Sequence, residues 1–154
     1  MSVALQPSRC ILINVSPRDE QNEFLPLFES VSQKIRIPFL RYDCLEFSAE
    51  NIGKCLSANL TESDAGTART VLLLTGFPLE EAITLFALTT LSIGYDVYVL
   101  VDYVQSKRSD FEIVFYSRLV QAGVILATLP QVLFEFQMCT EGSSFQSELL
   151  ELRK

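Results

Sequence analysis

The chain of 154 residues contains no histidine. Histidine is the commonest general base near neutral pH and the commonest metal ligand, so Ser-His-Asp and Cys-His catalysis and zinc sites with an imidazole ligand are excluded. The four cysteines, Cys10, Cys44, Cys55 and Cys139, include no CxxC pair. This spacing argues against a cysteine-only metal site and against a thioredoxin-like redox site. We therefore expect reduced thiols, no metal and no cofactor.

Long apolar runs and a basic surface are also missing. Charges interrupt each apolar segment before it reaches the roughly 18 residues that span a bilayer, and the first ten residues, MSVALQPSRC, do not have the pattern of a signal peptide. The 12 Lys and Arg are scattered among 19 Asp and Glu, for a net charge of −7. Nucleic-acid binding needs a concentrated basic surface. We therefore expect a cytoplasmic protein that binds neither membranes nor nucleic acids.

Apolar residues are abundant, at 49% of the chain. A chain of this length suits one domain with one sizeable core, and we predict a single domain over residues 1–154, with 138–154 as a tail carrying a short helix. An apolar content this high indicates a sheet that is covered on both faces, or a surface that is buried against another subunit. The composition alone is consistent with either.

Apolar strands alternate with helices along the chain. The predicted strands cover residues 9–15, 35–43, 70–77, 96–104 and 124–128. The predicted helices cover residues 18–34, 49–60, 79–93, 109–123 and 129–137, with Ser48 and Ser109 as N-caps and Pro26 in the first turn or at a kink. Continuous apolar strands joined through helices are typical of a parallel sheet covered on both faces. The sequence thus predicts an α/β three-layer sandwich with a mainly parallel sheet of five to six strands, with residues 70–77 at its centre.

Ligands of such sheets bind beyond the carboxyl ends of the strands. The candidate positions are residues 14–16, 41–43, 75–82 and 102–105. No glycine-rich phosphate cradle is present, and the helix after 70–77 begins with Glu80 and Glu81, which would repel an anion and stabilise the helix dipole. Asp102 ends a predicted strand. We expect it to cap or hydrogen-bond the loop that follows, with ligand binding as the alternative.

Two stretches carry a resemblance to a known family. They read TGFPLEEAITLFALTTLSIGYDVYVLVDY and SRLVQAGVILATLPQVLFEF, and give in order a strand, a Thr-Gly turn, a helix ending at Gly-Tyr, a strand ending in Asp and a helix ending in Gly. Residues 70–136 in this way resemble the isochorismatase-like cysteine hydrolases, which include nicotinamidases and N-carbamoyl amidohydrolases. RCILINVSP and IPFLRYDCLEF are similar, more loosely, to the first strand and to the lysine segment of that family.

The resemblance implies that the catalytic groups of the family are missing here. The nucleophilic cysteine falls on Ala82, six residues after Gly76, the acid of the first strand falls on Asn14, and the lysine falls on Arg41, counted back from Phe47. Alanine cannot attack a substrate, asparagine does not act as a base, and arginine stays protonated. All three catalytic roles are lost together.

The resemblance also places a catalytic backbone group on Phe77-Pro78. In the family a cis peptide bond before the nucleophile directs an N–H into the oxyanion hole. Proline makes a cis bond accessible but has no N–H to donate. We therefore expect the backbone path to be retained and one oxyanion donor to be lost.

Three functions follow from the resemblance. The first is a catalytically inactive protein that acts through assembly or protein binding. Members of the family commonly form oligomers, and the high apolar content fits a buried subunit surface, so the resemblance implies a homo-oligomer. The second is a sensor that binds a small carboxylic acid or amide in the former active-site pocket. The third is a hydrolase that uses Cys44 with Asp43 or Glu46 as its base. The residues predicted to line the pocket are Asn14, Arg41, Tyr42, Phe77, Pro78 and Asp102.

Overall fold

A computed structural model of the chain describes residues 5–17, 24–43, 48–60 and 70–139. The described strands are β1 (Cys10–Ser16), β2 (Phe39–Asp43), β3 (Val71–Gly76), β4 (Asp96–Val104) and β5 (Ile125–Ala127). The described α-helices are α1 (Leu25–Ile35), α2 (Ala49–Leu60), α3 (Thr84–Ile93), α4 (Glu112–Ala122) and α5 (Leu129–Cys139). A π-helical turn (Leu79–Ile83) precedes α3, and a 3-10 turn (Ser109–Phe111) precedes α4.

The five strands form one parallel sheet in the order β2-β1-β3-β4-β5. One face carries an apolar cluster together with α2, α3 and α4, and the other face carries a second cluster together with α1 and α5. The predicted three-layer α/β architecture is confirmed, and β3 is the central strand, as the sequence indicated. The carboxyl ends of all five strands therefore meet at one edge of the sheet.

Alternation along the strands supplies both clusters. In β1, Ile11 and Ile13 belong to the cluster under α2, α3 and α4, whereas Cys10 and Leu12 belong to the cluster under α1 and α5. Because successive side chains of a strand point to opposite faces, a strand buried on both sides needs a continuous apolar run. This is why the strongest apolar runs of the sequence became the inner strands.

The second predicted strand was placed too early. It was expected to begin at residue 35, but β2 begins at Phe39, because α1 continues through the buried Ile35. The helix then ends at Arg36, whose φ is 62°, and the N–H groups of Arg36 and Ile37 both donate to the carbonyl of Ser32. Pro26 lies in the first turn of α1, as predicted, and residues 18–23 of that predicted helix lie outside the described residues.

Of the two predicted N-caps, one is confirmed. The hydroxyl of Ser48 accepts the N–H of Asn51 at 3.1 Å, which satisfies a free donor at the start of α2. The Ser109 prediction is wrong, since Ser109 opens the 3-10 turn, no side-chain cap is formed there, and α4 begins only at Glu112.

The structure describes only part of the segments to which the remaining predictions about chain organisation apply. Helix α5 runs to Cys139 and so extends past residue 137, where the sequence indicated its end. Residues 61–69, between α2 and β3, and residues 140–154 of the predicted tail lie outside the described residues. Within the described ranges no helix is long and apolar enough to cross a membrane.

Candidate functional site

The turn that follows the central strand is packed against the neighbouring strand β1. Gly76, the last residue of β3, has a φ of 132°, and a Cβ added to it would lie 1.9 Å from the carbonyl oxygen of Val15. The N–H of Phe77 donates to the same oxygen at 2.9 Å. Only glycine fits at position 76, so the backbone itself sets the path of the turn.

The peptide bond between Phe77 and Pro78 is cis. In the residue after this bond, the N–H of Leu79 donates to the carbonyl of Gln105 at 3.0 Å. The N–H of Gln105 in turn donates to the carbonyl of Gly76 at 2.9 Å. The N–H groups of residues 77 and 79 are therefore bonded to the main chain, and Pro78 has none. The turn keeps the shape implied by the resemblance but presents no N–H from these three residues to a substrate.

Ala82 lies within the π-helical turn that leads into α3. Its side chain is only 5% exposed and belongs to the apolar cluster under α2, α3 and α4. The N–H of Ile83 donates to the carbonyl of Pro78 at 3.2 Å, and the hydroxyl of Thr84 donates to the carbonyl of Leu79 at 2.6 Å. The position that the resemblance assigns to the nucleophile thus holds a methyl group in the core.

Asn14 lies fully buried near the end of β1 and joins two strands. Its Nδ2 donates to Oγ1 of Thr75 at 3.2 Å, and that hydroxyl donates to the carbonyl of Ile13 at 3.2 Å. Its Oδ1 accepts the hydroxyl of Ser16 at 2.7 Å. Both ends of the amide are bonded to protein groups. The sequence did not indicate Thr75 or Ser16 as its partners.

Arg41 and Tyr42 of β2 face opposite sides of the sheet. Arg41 is exposed and lies in register with Asn14. Tyr42 is buried, and its ring packs edge-on against Phe86 of α3, with 5.3 Å between the ring centroids. Because consecutive strand residues alternate, Arg41 shares the face of Asn14 and Tyr42 does not. The predicted pocket residues of β2 are therefore divided between two sides of the sheet.

Asp102 accepts hydrogen bonds from the first residue of α5. Both oxygens of its carboxylate accept the N–H of Leu129, each at 3.1 Å. Beside it, Oε1 of Gln131 accepts the N–H of Thr128 at 3.0 Å, and Oγ1 of Thr128 accepts the N–H of Gln131 at 3.3 Å, which is a capping box. Asp102 thus forms a capping contact, but with the start of α5 and not with the loop that follows it. Its role in ligand binding stays a prediction.

Removing the Asp102 carboxylate should destabilise the protein. We expect Asp102→Ala to lower the free energy of unfolding by about 1–2 kcal/mol, because an N–H at the start of α5 loses a charged acceptor. Asp102→Asn keeps an acceptor oxygen and should cost less. Asp96→Ala removes an exposed aspartate at the other end of β4 and is the matched control. It should change the free energy of unfolding, measured in urea, by less than about 0.5 kcal/mol. Equal losses for Asp96→Ala and Asp102→Ala would contradict the capping role.

Glu80 and Glu81 connect the turn after β3 to the loop after β4. The Glu80 carboxylate accepts the N–H of Lys107 at 2.7 Å and the N–H of Arg108 at 3.0 Å. The Glu81 carboxylate pairs with Nζ of Lys107 at 3.3 Å. Besides any effect on the helix dipole, these two glutamates hold the loops at the carboxyl edge of the sheet together.

An aromatic group lies on the α1 side of the same edge. The ring of Tyr103 meets Phe24 and Phe28 edge-on, with centroid distances of 5.0 Å and 5.3 Å. Burial, and then the charge of Asp102, raise the pKa of Tyr103 above its usual value. The ring is therefore a packing element and stays protonated at neutral pH.

The structure describes only some of the other side chains that were predicted at this edge. Phe77 is half-buried and Pro78 is buried. Asp43 ends β2, whereas Cys44 and Glu46 lie outside the described residues. Among the residues that the structure describes, no three His, Cys, Asp or Glu side chains come together in a way that could hold a metal ion.

Comparison with known proteins relates the chain to solved structures alone. No family model matches it, and no curated protein matches it. The MAR1 ribonuclease from Caenorhabditis elegans is 15% identical, with a TM-score of 0.68, over 97% of this chain and 92% of that chain. At such low identity a likeness of this kind establishes the fold and leaves activity open.

Two structures of YcaC are similar to this chain in fold at an equally low sequence identity. YcaC from Pseudomonas aeruginosa, with hexane-2,5-diol and covalent acrylamide, is 14% identical over 95% of this chain and 90% of that chain, with a TM-score of 0.64. The Escherichia coli YcaC gene product, an octameric hydrolase of unknown specificity, is 14% identical over 99% and 92%, with a TM-score of 0.69. These neighbours are isochorismatase-like in fold, and the parallel five-stranded sheet of this chain, with helices on both sides, matches that α/β fold.

Proposed function

We propose that this protein is a catalytically inactive isochorismatase-like protein that acts through assembly with copies of itself or through protein binding. The observation that carries the proposal is Ala82. It stands at the nucleophile position, six residues after Gly76, and its methyl group is packed in the core. A covalent mechanism needs a thiol or hydroxyl at that position, and alanine supplies neither.

Two further contacts support the loss of catalysis. The amide of Asn14 is committed to Thr75 and Ser16, so the position of the family acid has become part of the fold. The turn at Phe77-Pro78 has its flanking N–H groups bonded to main-chain carbonyls. Nucleophile, base and oxyanion donor are thus replaced by packing and by internal hydrogen bonds.

The structural neighbours and the net charge of the chain indicate which partners to expect. An octameric structural neighbour supports a role in assembly. Another neighbour is a ribonuclease, but RNA binding is not part of the proposal, because this chain has a net charge of −7 and only 12 basic residues. We propose a cytoplasmic homo-oligomer that works without a cofactor and binds neither nucleic acid nor membrane.

Sensing of a small acid is the second candidate, and one observation favours it. Arg41 is exposed on the face of the sheet that Asn14 occupies, and a guanidinium binds a carboxylate with two parallel hydrogen bonds. A panel of small carboxylic acids and amides should then raise the melting temperature of the wild type and leave Arg41→Ala unchanged. The positions of Tyr42 and Asp102 weaken this candidate, since one faces α3 and the other caps α5.

Turnover assays test the leading proposal. We expect no hydrolysis of simple amides or esters above the buffer rate by the wild type or by Cys44→Ser. Ala82→Cys should be equally inactive, because burial keeps a thiol protonated and no base stands at position 14. Saturable turnover by the wild type would overturn the proposal, and its loss in Cys44→Ser would establish the alternative hydrolase.

A further inference from the structure

The longest segment of the chain without charge lies near the end of the sheet order. Residues 119–134 contain no Asp, Glu, Lys or Arg, although charged residues make up 20% of the chain. This segment covers the end of α4, all of β5 and the start of α5. It therefore surrounds one of the two edges of the sheet, since β5 is an edge strand.

The two edges of the sheet differ in chemistry. The β2 edge carries the exposed Arg41 and the half-buried Asp43. The β5 edge carries no charge, and its Ile125 is 47% exposed. Charged side chains are a common device that keeps an edge strand from pairing with another chain. The β2 edge has this protection, and β5 lacks it.

Helix α4 extends the apolar surface beside β5. Ile113 is 74% exposed and Val120 is 52% exposed. Both line an open groove of about 520 Å³ that also includes Tyr116 and Leu126. We call Ile113, Tyr116, Val120 and Leu126, which lie on the α4 side of the sheet, together with Ile125, which lies on the opposite face of β5, the β5 strip. Isolated exposed apolar residues are ordinary, but apolar residues on both faces of an uncharged strand edge are typical of an interface.

The charges of the chain indicate what covers the strip. Two copies that each carry a net charge of −7 repel one another, and this repulsion is smallest where they meet through a face with few carboxylates. The groove has one carboxylate, that of Glu112, which accepts the hydroxyl of Ser106 at 2.6 Å. Ser117 and Gln121 also line the groove, and each side chain both donates and accepts hydrogen bonds. The face is therefore compatible with its own copy about a two-fold axis.

We propose that the β5 strip is the contact between two copies of this chain, with β5 pairing antiparallel to β5 of the second copy. The sheet then continues across the two-fold axis, and Ile113 and Val120 are buried beside it. The inference rests on the proposed function of self-assembly and names the surface that performs it.

Sedimentation velocity at micromolar concentrations tests the proposal. The wild type should sediment as a dimer or a larger assembly. Ile125→Lys and Val120→Lys should each weaken self-association by about a hundredfold or more, because like charges meet across the axis. Val120→Lys changes an exposed helix residue and serves where Ile125→Lys fails to fold. Ile93→Lys is the matched control, since Ile93 is 49% exposed at the end of α3, outside the strip, and it should sediment as the wild type does.

Each outcome decides the proposal. An oligomer that both strip variants leave intact, or that Ile93→Lys disrupts equally, overturns the strip and leaves the proposed self-assembly standing. A strictly monomeric wild type overturns both. Amide hydrogen exchange at Ile125–Ala127 should be protected more strongly as protein concentration rises. Equal exchange rates at these amides in the wild type and in Val120→Lys, at a concentration where only the wild type associates, would also overturn the proposal.

Discussion

Gly76→Ala should be the most damaging single-methyl substitution that we predict in this protein. The added Cβ would lie 1.9 Å from the carbonyl oxygen of Val15, which is backbone and cannot rotate away, and a φ of 132° is strained for any residue with a side chain. We expect a loss of at least about 3 kcal/mol in the free energy of unfolding. Because small domains are stable by only about 5–15 kcal/mol, chemical denaturation should show a large shift of the midpoint.

Gly53→Ala is the control for Gly76→Ala. Gly53 lies inside α2, and a Cβ added there meets no atom within 4 Å. Alanine is the better helix former, so the same added methyl group should stabilise the protein by about 0.5–1 kcal/mol. If Gly76→Ala instead unfolded within about 1 kcal/mol of the wild type, the close approach of the turn to β1 would be contradicted.

Asn14→Asp should cost at least about 2 kcal/mol of stability near neutral pH. The hydroxyl of Thr75 already donates to Ile13, so its oxygen needs the donor that Nδ2 of Asn14 provides. A carboxylate at position 14 would set one acceptor against another and bury an unpaired charge, and both are unfavourable.

The same variant should depend on pH with a definite sign. Burial favours the protonated acid and so raises the pKa of an aspartate at position 14 in the folded protein above its unfolded value of about 3.9. Relative to the wild type, the variant should therefore be most stable below about pH 4, and should lose stability as pH rises through the folded pKa. Denaturant titrations of both proteins across this range measure the difference.

Asn51→Asp makes the same chemical change at an exposed position. Asn51 lies in the first turn of α2, where a negative charge interacts favourably with the helix dipole, so its effect should stay within about 0.5 kcal/mol. If Asn14→Asp left the free energy of unfolding unchanged, position 14 would still accommodate a carboxylate. This result would count against the proposal of an inactive protein.

Much of the fold could be predicted from the sequence, because its inner strands are apolar on both faces. The runs at residues 70–77 and 96–104 needed no tertiary information, and the second matches β4 at both ends. The start of β2 was missed because Ile35 is apolar in either state, and only its burial shows that it extends α1. The start of α4 was missed because a serine at the right place was read as a cap.

The candidate site was predictable where it depended on sequence position and unpredictable where it depended on register. The turn at Gly76 followed from its place at the end of β3. The partner of Asp102 did not follow from the sequence, because Leu129 is 27 residues away along the chain. The partners of Asn14 did not, because Thr75 is 61 residues away along the chain. The link between Glu80 and Lys107 spans 27 residues. The face occupied by Tyr42 likewise required the alignment of β2 with β1.

Cysteine reactivity tests the absence of catalysis most directly, because every cysteine hydrolase needs an activated thiolate whatever its substrate. Acrylamide, which is covalently bound in one structural neighbour, can be added to the native protein and the adducts counted by intact mass spectrometry. We predict that no cysteine of the native wild type reacts faster than the same cysteine in the unfolded chain, and that the buried Cys10 reacts more slowly. A single adduct that forms stoichiometrically, and faster in the native protein than in the unfolded one, would contradict the account.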